Sequence, residues 1–189
     1  MATETSVCAV LVNEHAVIRQ TLATLEDLLQ TGLWRQPGAA LQRVRTLMEF
    51  IEAFDRHCHR PKEYDHLLPV LSGRSGTLDR LMDSLDQAHT RGDDRLDQAF
   101  VLLAELERSD DARAEDFALV LRRHQATVLQ RLQVEEGVLL PMAREMLGRD
   151  DWSHVAAAMP GVSPVLPPAG AAPARTPRAA GHPGSGGGR

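Results

Sequence analysis

The sequence predicts an all-α, antiparallel four-helix bundle followed by a disordered C-terminal tail. Three observations carry this. Apolar residues recur at alternating spacings of 3 and 4 through most of the first 147 positions, the period of a helix with one buried stripe. Aromatic residues make up only 4% of the chain, which suits helix packing better than sheet packing. Glycine, proline and short polar clusters punctuate the pattern at intervals that leave room for four long helices.

The first helix spans residues 5 to 31. Leu11, His15, Ile18, Leu22, Leu25 and Leu29 follow one another at 4, 3, 4, 3 and 4, so His15 occupies a core position where an aliphatic residue is the usual choice. The stretch from Gly32 to Gly38, with Pro37, breaks the chain. A second helix runs over 39 to 68, with Leu41, Val44, Leu47, Met48, Ile51 and Phe54 apolar. Pro61 lacks an N–H and predicts a kink, and Pro69 predicts the end.

That helix ends in a short polar block crowded with histidines and carboxylates, His57-Cys58-His59-Arg60-Pro61-Lys62-Glu63-Tyr64-Asp65-His66. On a regular helix each residue turns by about 100°, so His59, Glu63 and His66 fall within roughly 60° of arc. An imidazole and a carboxylate four residues apart can aim at one point, the geometry by which helical bundles hold iron or manganese. His57 reads as a solvated residue, His66 as a surface residue or one lying behind the ligand pair, and Cys58 as a small packing residue.

A third helix is predicted over 77 to 90, with Leu78, Leu81, Met82, Leu85 and Ala88 buried and an interruption at Gly92-Asp93-Asp94. A further piece over 95 to 107 precedes the polar break at Ser109-Asp110-Asp111. The last long helix covers 112 to 147. Its stripe is Phe117, Leu121, His124, Val128, Arg131, Glu135, Val138 and Met142. Three polar residues in that stripe need partners, because an unpaired buried charge costs several kcal/mol. From about Pro160 the composition turns to Pro, Gly, Ala and Ser, which cannot bury enough apolar surface to offset backbone ordering. The domain expectation is therefore a bundle over 1–150 and a tail over 160–189.

An internal echo links two of these helices. Glu63-Tyr-Asp-His-Leu-Leu-Pro69 is answered 72 residues later by Glu135-Glu-Gly-Val-Leu-Leu-Pro141. Two helices that each carry an inward Glu and reach an equivalent proline suggest a pseudo-symmetric pair facing one site.

With these residues in view, the chain resembles the hemerythrin-like, or HHE cation-binding, domain over approximately residues 7 to 147. The likeness rests on Glu14-His15 with Arg19, His59 to Glu63 with Lys62, Leu67-Leu68-Pro69, and Glu135 with Leu139-Leu140-Pro141. The resemblance implies a cation site at the bundle core holding one or two non-haem iron ions. It also implies a small ligand such as oxygen, peroxide or nitric oxide. Carried over by position, His15, His59, Glu63 and Glu135 are metal ligands.

Two places depart from the family pattern. Arg131 stands where helix 4 should offer a histidine, and a permanently charged guanidinium cannot ligate a cation. The third helix offers no histidine at the matching depth. Asp79 is the best substitute there, Ser75 the other candidate, and His89 reads as too near that helix's end. His124 shares the face of Arg131 but lies about 16 Å along the axis from Glu135. Three states stay open: one iron on the remaining ligands, a metal-free regulatory bundle with Arg131 in place of the cation, or a rearranged two-metal site that recruits His66 or moves Arg131 outward.

The totals narrow the rest. A net charge of −5 without a basic stripe argues against a nucleic-acid partner. No apolar run approaches the ~18 residues needed to span a bilayer. No secretion signal is evident at the N-terminus, and two unpaired cysteines, Cys8 and Cys58, suit a reducing cytoplasm. No nucleophile triad or phosphate loop appears, so binding or sensing is favoured over catalysis, with an oxygen-activating or peroxide-decomposing enzyme the last reading.

Overall fold

The computed structural model describes residues 2–108 and 111–159. The tail expected over 160–189 and part of the break at Ser109-Asp110 lie outside the described residues. Five helices follow one another, and no strand occurs among the described residues. Helix α1 is Ala2–Thr31. Helix α2 begins as Ala39–Phe54, passes through π-helical turns at Asp55–His59 and Lys62–Leu67, and ends with Leu68–Leu71. Helix α3 is Gly76–Leu106. Helix α4 is Ala114–Val134, a π turn at Glu135–Leu139, and Leu140–Met146. Helix α5 is Arg149–Ala158.

Local chemistry explains the boundaries. Gly32, at φ 69°, takes the left-handed conformation that ends α1 at no steric cost. Ser75 caps α3 by accepting from the Leu78 N–H. The expected interruption of α3 at Gly92 does not occur, and one helix runs on to Leu106. A single glycine costs about 1 kcal/mol in a helix. Burial of Leu85, Leu96, Ala99 and Leu103 on either side outweighs it, and Asp93 is engaged by Arg60.

Helix α2 likewise passes Pro61 and Pro69 without stopping. The residue before each proline donates its N–H five positions back rather than four: Arg60 to Asp55 O, Leu68 to Glu63 O, and in α4 Leu140 to Glu135 O. A proline ring clashes with the carbonyl four residues earlier, and widening the turn relieves that clash without ending the helix. In all three the carbonyl that accepts this bond belongs to a carboxylate residue, Asp55, Glu63 or Glu135, six residues ahead of the proline.

Each π turn also inserts one residue into the helical repeat, advancing everything beyond it by about 100°. This shifts two positions from where a regular helix would put them. Leu67, not His66, occupies the buried position after Glu63. In α4, Leu139, Leu140 and Ala143 are buried while Val138, expected in the stripe, is 43% exposed.

The core divides into two apolar clusters. One gathers Ile18, Leu22, Met48, Phe54, Leu96, Leu121 and Leu132 among others. The second gathers Leu11, Leu67, Leu85, Leu139 and Leu147, with Trp152 and Val155 from α5. Helix α5, for which the sequence reading assigned no element, packs along α1 and covers this second cluster. Between the clusters each bundle helix places polar residues: Glu14 and His15 on α1, His59, Lys62 and Glu63 on α2, His89 on α3, Arg131 and Glu135 on α4. All are buried.

Candidate metal centre

Four side chains from three helices meet in the polar layer. One ligand-type atom each from His15, His59, Glu63 and Glu135 lies within 4.8 Å of the others, and all four residues are buried. His15 Nε2 is 3.3 Å from Glu135 Oε2 and 4.0 Å from Glu63 Oε1. His59 Nε2 is 3.7 Å from Glu63 Oε2 and 4.0 Å from Glu135 Oε2. The two imidazoles stand edge to face with centroids 4.7 Å apart.

Their outer nitrogens fix their orientation. His15 Nδ1 lies 2.8 Å from Glu136 Oε1, which Arg19 also engages at 2.7 Å. His59 Nδ1 lies 3.3 Å from Glu14 Oε2, and Glu14 accepts from Lys62 Nζ at 2.5 Å. Lys62 Nζ also donates to Cys58 O. An ionised carboxylate only accepts, so each Nδ1 carries the proton and each Nε2 presents a lone pair inward. Carboxylate–imidazole pairs of this kind are what orient histidines toward metals.

The inward atoms lack protein partners. His15 Nε2, His59 Nε2, Glu63 Oε1 and both oxygens of Glu135 are buried without a hydrogen bond. Leaving such groups unsatisfied costs about 1–3 kcal/mol each, more when charged. A divalent cation would satisfy all of them, since every unpartnered atom of the four is a lone-pair donor. The donor set therefore fits a metal.

Titration behaviour follows the same geometry. Burial, then the neighbouring charge of Glu63, pushes Glu135 up to about 8. Burial likewise raises Glu63. Burial and the adjacent His59 lower His15 to about 4. Burial presses His59 down too, but Glu63, Glu14 and Glu135 together outweigh it and raise that imidazole. Without a cation, the cluster holds protons that a metal would displace.

Arg131 forms one wall. Its Nη2 donates to Asp55 Oδ1 at 2.8 Å, and its Nε stands 3.3 Å from Glu135 Oε1. Asp55 is shared with Arg60 at 2.6 Å. These two arginines outweigh burial and hold Asp55 well below the ordinary carboxylate range. The guanidinium thus ion-pairs where the family pattern would offer a ligand.

Asp79 is not brought to this cluster. It is half-exposed, and its carboxylate accepts from the Gly73 N–H at 2.9 Å, tying the loop before α3. The α3 residue in the polar layer is His89, buried, with Nδ1 near Tyr64 Oη at 2.9 Å and Leu85 O at 3.2 Å. It looked too near a helix end only because α3 was expected to stop at 90. Asp55 and Glu136 also went unnoticed in the sequence. The signal for Asp55 was present: it precedes Pro61 by six residues, as Glu63 precedes Pro69 and Glu135 precedes Pro141. His57 is exposed and His66 half-exposed, away from the four.

A helical bundle with an interior imidazole–carboxylate cluster defines a class of cation-binding domain. The model of the hemerythrin HHE cation-binding domain matches residues 6–143, well over half of the chain. The chain belongs to that family. Neither the comparison with curated proteins nor that with solved structures returned a match. No helix among the described residues is long and apolar enough to cross a membrane.

Proposed function

We propose that this protein is a non-haem iron protein holding a single ion on His15 Nε2, His59 Nε2, Glu63 and Glu135, and that it binds or senses oxygen, peroxide or nitric oxide there. The observation that carries this reading is the convergence of four buried lone-pair donors within 4.8 Å, none of them fully satisfied by the protein. A ferrous ion supplies an open coordination position and an available electron to such small ligands. The chain's own part is to aim the donors: Glu136 with Arg19 turns His15 inward, and Glu14 with Lys62 turns His59. Arg131 supports one ion rather than two. A second cation beside it would meet a fixed positive charge at close range, where interior Coulomb terms are several kcal/mol. Two free cysteines accord with a reducing cytoplasm as the site of action.

A second reading has its own observation. Arg131 Nε, 3.3 Å from Glu135 Oε1, already supplies one positive charge to the carboxylates, as a metal-free regulatory bundle would require. Metal analysis separates the two. After iron loading under reducing conditions, the wild type should retain one iron per chain, and His59→Ala or Glu63→Ala should retain none. Wild type holding no iron would leave the metal-free reading.

A further inference from the structure

A cavity of about 30 Å³ lies beside the polar layer. Ile18, Ile51, Leu96 and Val128, one from each bundle helix, supply buried apolar wall, and the exposed Arg56 and Asp97 stand at its rim. Arg131, 4% exposed, borders it from within. The same side chain reaches the candidate metal centre, with Nε 3.3 Å from Glu135 Oε1. One guanidinium therefore stands between this opening and the four clustered donors. It is held there by Asp55, which accepts from Nη2 at 2.8 Å and also lines the cavity.

Gly92 keeps this space open. It sits in the interior of α3, where glycine costs stability relative to alanine. Its backbone is not left-handed, and a β-carbon placed on it would meet no atom within 4 Å, so neither conformation nor close helix packing demands a glycine. Yet the residue is buried and lines the cavity. The gap in front of it thus belongs to the cavity, and a larger side chain at 92 would fill that gap without straining the helix.

Charge and size narrow what could pass. Asp55 is engaged by Arg131 and Arg60, Asp93 by Arg60, and Glu52 by Arg56, so little net charge is left to steer an ion. The volume admits about two water-sized bodies. Both features suit an uncharged molecule of two heavy atoms.

We propose that this cavity is the path by which such a molecule, nitric oxide or oxygen, reaches the cation site, with Arg131 closing its inner end and Gly92 holding it open. The inference rests on the cation reading given above and adds the route to it.

The test uses the full chain loaded with ferrous iron, with nitric oxide as probe. It reads metal content, melting temperature, and the rates of binding and release. Gly92→Ala and Gly92→Leu should retain the iron content of the wild type, and Gly92→Ala should melt no lower, because alanine favours the helix. Nitric oxide should bind several-fold more slowly to Gly92→Ala and more slowly still to Gly92→Leu. Release should slow by the same factor and leave the affinity unchanged, as a barrier on the path requires and an altered iron site does not. Arg131→Gln, too short to close the inner end, should bind nitric oxide faster per iron; a rate no faster would remove Arg131 as the gate. Iron-loaded Gly92 variants that bind at the wild-type rate would place the entrance elsewhere and overturn the route alone. Wild type holding no iron would sink the cation reading, and the route with it.

Discussion

At the scale of single residues, Arg131 decides the character of the interior. It is 4% exposed, reaches Asp55 with one nitrogen and faces Glu135 with another. Removing it strands Asp55 with Arg60 alone and leaves Glu135 and Glu63 with His59 as the positive group that still offsets their charge. Arg131→Ala should therefore destabilise the metal-free protein by about 3 kcal/mol, the scale at which breaking a buried ion pair is felt. Denaturant melts with matched slopes would show it; an unchanged midpoint would mean that the pair is not buried in solution. Iron should restore part of the loss, since an ion on the two carboxylates replaces the missing charge. That His15, His59, Glu63 and Glu135 would converge was legible in the sequence from the four-residue spacing of His59 and Glu63, the echo at Glu135 and the family resemblance, although His15 alone reads equally as a hydrogen-bonded core histidine. Asp79 was a misplacement of a different kind: it sits at a plausible depth by residue count, but its carboxylate is occupied by the loop at Gly73.

The elements of the fold were mostly legible, and where they were not, one backbone device is responsible. Periodicity located α1, most of α2 and the body of α4, because burial follows a 3.6-residue repeat wherever the ladder is regular. It failed beyond Glu63 and beyond Glu135, where a widened turn inserts a residue and the repeat restarts out of phase. The echo of Glu63–Pro69 in Glu135–Pro141 was visible, but its structural content was a matched pair of π turns rather than two helix ends. This makes a sharp test. Leu140 is 2% exposed although a regular helix would turn it about 140° away from Glu135, and Val138 is 43% exposed although it would stand only about 60° from it. Leu140→Ala should cost about 2–5 kcal/mol, as large-to-small core changes do, while Val138→Ala should stay within about 0.5 kcal/mol. Comparable losses at both sites, or the opposite order, would show that α4 runs straight through Glu135. The length of α3 was missed for a simpler reason: local glycine chemistry argued for a break, and packing on both sides overrode it.

For the whole molecule, the buried titratable groups set how stability answers to pH. In the metal-free protein Glu135 sits at about 8, above its unfolded value, so its contribution is fully present below the unfolded value and is lost as pH rises toward 8. His15, lowered to about 4, works in the opposite sense and only below its unfolded value of 6.5. Between pH 6.5 and about 8 the glutamate dominates. The metal-free protein should lose stability across that window, by roughly 1–2 kcal/mol for one proton. Iron, which replaces the proton, should remove the slope, and Glu135→Gln should flatten it without metal. Melting temperatures of the metal-free protein that rise steadily over this range would contradict the assignment. The seam of charged and imidazole groups between the two apolar clusters has one more effect, on alignment. Bundle helices with plain apolar stripes can slip past one another by a turn, about 5.4 Å, and still find greasy neighbours. Here such a slide would drive Glu63, Arg131 or Glu135 into one hydrocarbon layer and leave their mates behind, so only one axial setting of the four rods is tolerable. The polar seam thus acts as a ratchet stop for the bundle, whatever ion it holds.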